Sequence, residues 1–251
     1  MERLLSVDIA RFLCMIWIVA FWHLGPRLGL AIQESICCET ITYIALAAFT
    51  FYSGLFLGKK NVSAVDFYKK RLIRFYPMFV VVCILMFVGH GGIKSFAHLM
   101  YALTGLSVFV PPHTPILWYM DMLIVFYAIT PIIIPKRPAL PILGRSGGVI
   151  LRSGLIYTSF YVLSNYLRIE GILQYFPFYV AGLIIPIDCI KNCTFGWKSF
   201  IALLAVTMII LLLVIKGGLE RDLYVREVLN VCGVLMLVMA TDVIEKNQEK
   251  E

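Results

Sequence analysis

Residues 40–58 run for nineteen positions without a formally charged side chain, and residues 75–93 do so again, with His90 as the one ring able to carry a charge. A helix needs about 20 apolar residues to cross about 30 Å of hydrocarbon. Runs of this length therefore read as membrane spans. Further apolar runs lie at 12–26, 122–135 (continuing a helix that begins near Leu117), 153–167, 171–187, 199–215 and 228–241. A ninth, at 96–110, is followed by Pro111, Pro112 and Pro115 and contains Gly105. The pattern predicts an all-α, polytopic transmembrane helical bundle of eight or nine spans, built as a single domain over residues 1–251. Composition closes the alternative. The chain is 61% hydrophobic and 15% charged, against about 45–50% and about 25% in soluble domains. Too little polar surface exists to cover a water-soluble core of this size.

Charge sets the expected topology. Cytoplasmic loops of membrane proteins carry an excess of Lys and Arg. The stretch 59–74 holds six basic residues against Asp66, so it is expected inside, together with the N-terminus. If 96–110 dips into the membrane without crossing, 16 of the 22 Lys and Arg fall inside. If it crosses, the split falls to 12 and 10, chiefly because 136–152 carries four cations and no anion. A re-entrant segment is the better reading, since proline and glycine are tolerated where backbone lines a cavity. The net charge of +7 then reflects an anionic membrane surface, and no nucleic acid is implied. The first run lacks a small-residue cleavage site and is expected to stay as an anchor. The seven cysteines include the adjacent Cys37 and Cys38, and Cys189 and Cys193 four apart. No spacing completes a metal site, and none is expected.

Ionisable groups within apolar spans are costly and mark candidate functional positions. Arg11 and His23 share the first run. On a continuous α-helix they are about 18 Å apart along the axis and roughly 120° apart in direction. A neutral imidazole can take a proton from a hydroxyl near pH 7, and a histidine bonded between helices is the competing reading. In FYKKRLIRFYP, Arg71 and Arg74 share a helix face, three residues apart. With Lys59, Lys60, Lys69 and Lys70 they form a dense cation cluster suited to phosphates, which guanidinium groups grip bidentately. Ordinary topology signalling explains the lysines equally well. In LWYMDMLIVFYAITP, Trp118 and Tyr119 lie at an interface, and Asp121 lies one turn deeper, where an unpaired carboxylate is expensive. Ser53 and Gly54 are small residues inside the second run, suited to close helix packing or to a substrate contact. His90, His98 and His113 fall near span ends.

These pieces, in this order, resemble the acyltransferase 3 family of multi-pass inner-membrane enzymes that acylate surface glycans. DIARFLCMIWIVAFWHL is similar to the family's first helix, and FYSGLFL to its phenylalanine–x–x–serine–glycine segment. FYKKRLIRFYP fits its F-x-x-x-R-x-x-R-x-x-P signature, LWYMDMLIVFYAITP its LW…FY…P helix, and YFPFYVAGLIIP its aromatic-rich helix ending in glycine. The resemblance implies that His23 is the catalytic base, Arg11 its companion, and Arg71 and Arg74 the pair that handles the acyl donor. It implies acyl-CoA, with acetyl-CoA foremost, as donor, a carbohydrate hydroxyl as acceptor, and the inner membrane as location.

Three departures stand out. Eleven residues separate Arg11 from His23 where the family usually has ten, so a local bulge or a different role for Arg11 is expected. Leu123 and Ile124 stand where many members carry a glutamate. The chain also lacks the family's closing helix with its serine–tyrosine and histidine. The expected function is a membrane O-acyltransferase. A glycan or small-anion transporter and a shortened non-catalytic member are the rivals.

Overall fold

A computed structural model describes residues 5–23, 29, 35–57, 64–89, 92–109, 111, 114, 117–134, 144–167, 169–185, 197–217 and 223–248. All regular structure among the described residues is helical. The chain divides into two compact units, residues 1–58 with 181–251, and residues 59–180.

In the first unit, α1 (Leu5–Ile16) continues as a π-helix over Trp17–His23. A π-turn bonds i to i+5 and so absorbs one residue more per turn than an α-helix. The expected 120° offset between Arg11 and His23 is thereby corrected. Five steps at about 100° and seven at roughly 80° for i→i+5 bonding sum to nearly three whole turns. His23 thus returns to the side of the helix that carries Arg11. The Trp17 indole fixes this segment by donating to Thr42 Oγ1 at 3.0 Å.

The second helix, α2 (Ile36–Leu55), has 20 residues, about 30 Å at 1.5 Å per residue, which matches the hydrocarbon thickness. Among the described residues it alone is both long and apolar enough as a single straight helix to cross a membrane. The hydroxyls of Thr42, Thr50 and Ser53 donate to the carbonyls of Cys38, Leu46 and Phe49, each at 2.8 Å. Such back-bonding satisfies a hydroxyl where no water can. The last turn of α7 (Glu170–Ile184) packs on α2 at Gly182. A β-carbon there would strike the Phe51 carbonyl oxygen and lie 2.8 Å from Leu55 N. The closing helices α8 (Trp197–Gly217) and α9 (Leu223–Gln248) complete the unit, with α9 packed against α1, α2 and α8.

In the second unit, α3 (Ala64–Val88) bends by 44° between Ala64–Arg71 and Phe75–Val88. Pro77 explains the bend, because it has no N–H for the carbonyl four residues back and its ring crowds that carbonyl. The two arms together are apolar enough for a broken span or a re-entrant loop. The doubtful run forms α4 (Phe96–Thr104), nine residues long. Ser95 caps its start by accepting the His98 N–H at 3.1 Å, and Gly105 ends it with φ +74. A 3-10 turn, Leu106–Val108, follows. At about 1.5 Å per residue α4 is roughly 14 Å long, half of what crossing requires. Its cap residues set that length: a left-handed Gly105 turns the chain where continuing helix would drive it deeper.

The next helices are α5 (Trp118–Ile133) and α6 (Gly144–Ser164). The α6 helix begins nine residues ahead of the run at 153, because GRSGGVILR, which reads as loop by its glycines and charges, is drawn into helix. Arg152 donates to the Ile132 carbonyl at 2.9 Å and so satisfies one of the free carbonyls that end α5. A core of Phe79, Cys83, Ile93, Leu99, Ala102 and Leu117 joins α3, α4 and the start of α5.

The outward surface is apolar. Phe12, Met78, Leu85, Leu155 and Tyr161 are each more than 60% exposed. In water such exposed side chains would favour aggregation, whereas against lipid they are expected on the outside.

Candidate active site

The expected site residues fall into both units. In the first, His23 ends the π-segment and is half-buried. Arg11 lies lower on the same helix, its guanidinium 5.2 Å from the ring centroids of both Phe49 and Phe56. Its Nε is buried without a partner among the described residues. About 15 Å of axial rise separates Arg11 from His23 once the tighter rise of the π-turns is allowed for, so the guanidinium does not touch the imidazole. Ser53 is buried at 3% exposure with its proton committed to Phe49 O. In this state its oxygen can accept a bond but its own proton is already placed.

In the second unit, Arg71 is half-buried with its guanidinium 5.1 Å from the centroid of Tyr127. It stands at a cavity of about 350 Å³ lined by Tyr68, Phe75, Tyr76, Thr104, Ile124 and Tyr127. Tyr68 donates to Ala128 O at 2.6 Å and Tyr76 to Leu103 O at 2.9 Å. These two bonds tie α3 to α5 and to the end of α4, the helices that line the cavity. A volume near 350 Å³ is at the small end of ligand pockets. The mixture of one cation, tyrosine rings and aliphatic wall suits a ligand with an anionic head and an extended, mostly apolar arm.

Trp118 packs its ring over Gly171, where a β-carbon would lie 3.0 Å from the indole. It stacks edge-on with Tyr119 at 5.9 Å, and Tyr119 meets Tyr175 at 6.1 Å. Asp121 is fully buried. The Ser107 hydroxyl donates to one of its carboxylate oxygens, and the other has no partner among the described residues. The sequence marked Asp121 but not Ser107, which lies fourteen residues away in the segment whose path was undecided. His98 is also buried, with Nε2 3.4 Å from Thr114 Oγ1.

Lys59, Lys60, His90, His113, Cys189 and Cys193 lie outside the described residues, as does the side chain of Arg74. Among the described residues no three His, Cys, Asp or Glu side chains converge as a metal ion would require. Cys14, Cys37, Cys38, Cys83 and Cys232 are free thiols.

No curated protein and no solved structure matches the chain. The acyltransferase 3 family profile, an acyltransferase domain, matches residues 4–250, nearly the whole chain. It covers both units and all five motif segments, from the helix of Arg11 and His23 to the glycine of α7. The chain is a membrane acyltransferase, and it belongs to the acyltransferase 3 family.

Proposed function

We propose that this chain, as one domain of eight spans with α4 re-entrant, moves an acetyl group from acetyl-CoA to a hydroxyl of a cell-surface or lipid-linked carbohydrate. The observation that carries the reading is the cavity of about 350 Å³ that opens beside Arg71, on the helix start with the densest cation run in the chain. Arg71 and Arg74, with Lys59 and Lys60 nearby in sequence, take the donor phosphates at the cytoplasmic face. Tyr68, Tyr76 and Tyr127 line the path of the pantetheine arm. His23 accepts the proton of the acceptor hydroxyl as its oxygen attacks the thioester carbonyl carbon. The carbon–sulfur bond then breaks and CoA leaves as a thiolate. A thiolate is a good leaving group, so positioning and one base suffice. Ser53 in the first unit, and Trp118, Tyr119 and Asp121 in the second, are each expected to contact substrate. Arg11 is the companion of His23 on the same helix, and acts without touching the imidazole.

The cation count supports an inner-membrane orientation with the N-terminus cytoplasmic. The 14 Å length of α4 favours the 16-to-6 distribution. Mass analysis of surface glycans from cells with and without the protein tests the reading. Loss of one acetyl per repeating sugar is expected, and identical glycan masses contradict it.

A further inference from the structure

The polar cluster where α2 and α9 begin is used by nothing above. Glu39 and Tyr43 are four apart on α2, and Arg226 and Asn230 four apart on α9, so each pair shares one helix face. The Tyr43 hydroxyl donates to Glu39 Oε1 at 2.8 Å. Arg226 donates to Tyr43 Oη at 3.1 Å and to Glu39 Oε1 at 3.3 Å, and lies 4.8 Å over the Tyr43 ring. Thr40 is committed to Ile36 O at 2.9 Å. Asn230 differs from these. It is 1% exposed, and neither its amide nitrogen nor its oxygen has a partner among the described residues. Leaving such a group unsatisfied costs about 1–3 kcal/mol. It faces a gap of about 10 Å³ bounded by Glu39, Thr40, Tyr43 and Arg226. That is the volume one hydroxyl or one water needs, about 10–15 Å³.

A carboxamide offers a donor and an acceptor together, and a hydroxyl is the small group that answers both. Arg226 and Glu39 at the rim add a charged pair able to take a neighbouring hydroxyl. The location also fits. Trp17 is bonded to Thr42, which sets the axial register of the π-segment on α2. His23 lies six residues further on, roughly 7–9 Å toward the end where α2 begins. That brings it level with residues 36–37, within one helical turn of Glu39.

We propose that Asn230, with Arg226 and Glu39, is an acceptor subsite that holds a hydroxyl of a pyranoside ring within about one helical turn of the level of His23. The subsite rests on the reading of His23 as the base that deprotonates the reacting hydroxyl, and its test separates the two. Thermal unfolding of the purified full-length protein is measured with increasing methyl α-glucoside, galactoside, mannoside and rhamnoside. At least one glycoside should raise the melting temperature saturably. Asn230→Leu should raise its half-saturating concentration tenfold or more. Arg226→Lys, which keeps the charge beside Glu39 but loses the planar fork, should raise it severalfold, and it serves if Asn230→Leu fails to fold. His23→Gln should keep the glycoside response. If no glycoside gives a saturable shift, or if both subsite variants respond as the native protein does, the gap holds a water alone and the proposal fails. Normal transfer by His23→Gln would remove the base assignment and leave this binding result standing.

Discussion

Gly182 lies directly against the backbone of Phe51. A β-carbon at 182 would meet the Phe51 carbonyl oxygen and come within 3.1 Å of its carbonyl carbon. Two motif segments far apart in sequence, FYSGLFL and YFPFYVAGLIIP, interlock at this point. Backbone cannot withdraw as a side-chain tip can, so the glycine is required by space. Gly182→Ala should therefore destabilise the protein by the about 1–3 kcal/mol typical of overpacking, seen as a lower melting temperature in detergent. Gly154→Ala in α6, where a β-carbon meets nothing within 4 Å, should leave the melting temperature unchanged or slightly raised.

Asp121 depends on Ser107 for its hydrogen bond. Ser107→Ala strands a buried carboxylate and should cost about 1–3 kcal/mol. Against an Asp121→Asn background, where no charge is left to serve, the same change should cost clearly less. Equal costs in the two backgrounds would show that the pair is not coupled.

The first turn of α6 should face the cytoplasm. Ser146 is exposed, so a cysteine there, in an otherwise cysteine-free protein, should resist membrane-impermeant thiol reagents in intact cells and react after permeabilisation. Ready labelling in intact cells would mean that the segment holding α4 crosses fully.

Arg71 is expected to act through its planar fork and its place on Tyr127. Arg71→Lys should raise the KM for acetyl-CoA about tenfold or more with the charge retained, because a lysine cannot make the bidentate contact. Replacing Lys59 and Lys60 should shift it less, since a lysine ammonium meets a phosphate only as a point charge. Donor kinetics as a function of salt distinguish the two classes.

The helices were legible because lipid imposes length and apolarity on each span directly. The apolar runs at 40–58 and 75–93 correspond to α2 and the long arm of α3. The off-by-one spacing of Arg11 and His23 announced an irregularity, and the π-segment supplies it. The boundary at Gly144 was hidden because glycine and arginine signal a loop, while the packing of Arg152 on the end of α5 holds helix there. The tyrosine cavity and the Asn230 gap left no trace in local spacing. Tyr68, Tyr76 and Tyr127 look like interfacial aromatics one by one. Their meeting depends on the bend at Pro77 and on where α4 stops, which are matters of tertiary packing.

The central claim is that the imidazole at the end of the π-segment takes the proton from the acceptor. Turnover of purified His23→Gln, measured beside its acetyl-CoA binding and its melting temperature, tests this most directly. A general base contributes about 10²–10⁴-fold. Turnover should fall by that factor while donor binding and melting temperature stay near those of the native protein. Near-native turnover by well-folded His23→Gln would contradict the account.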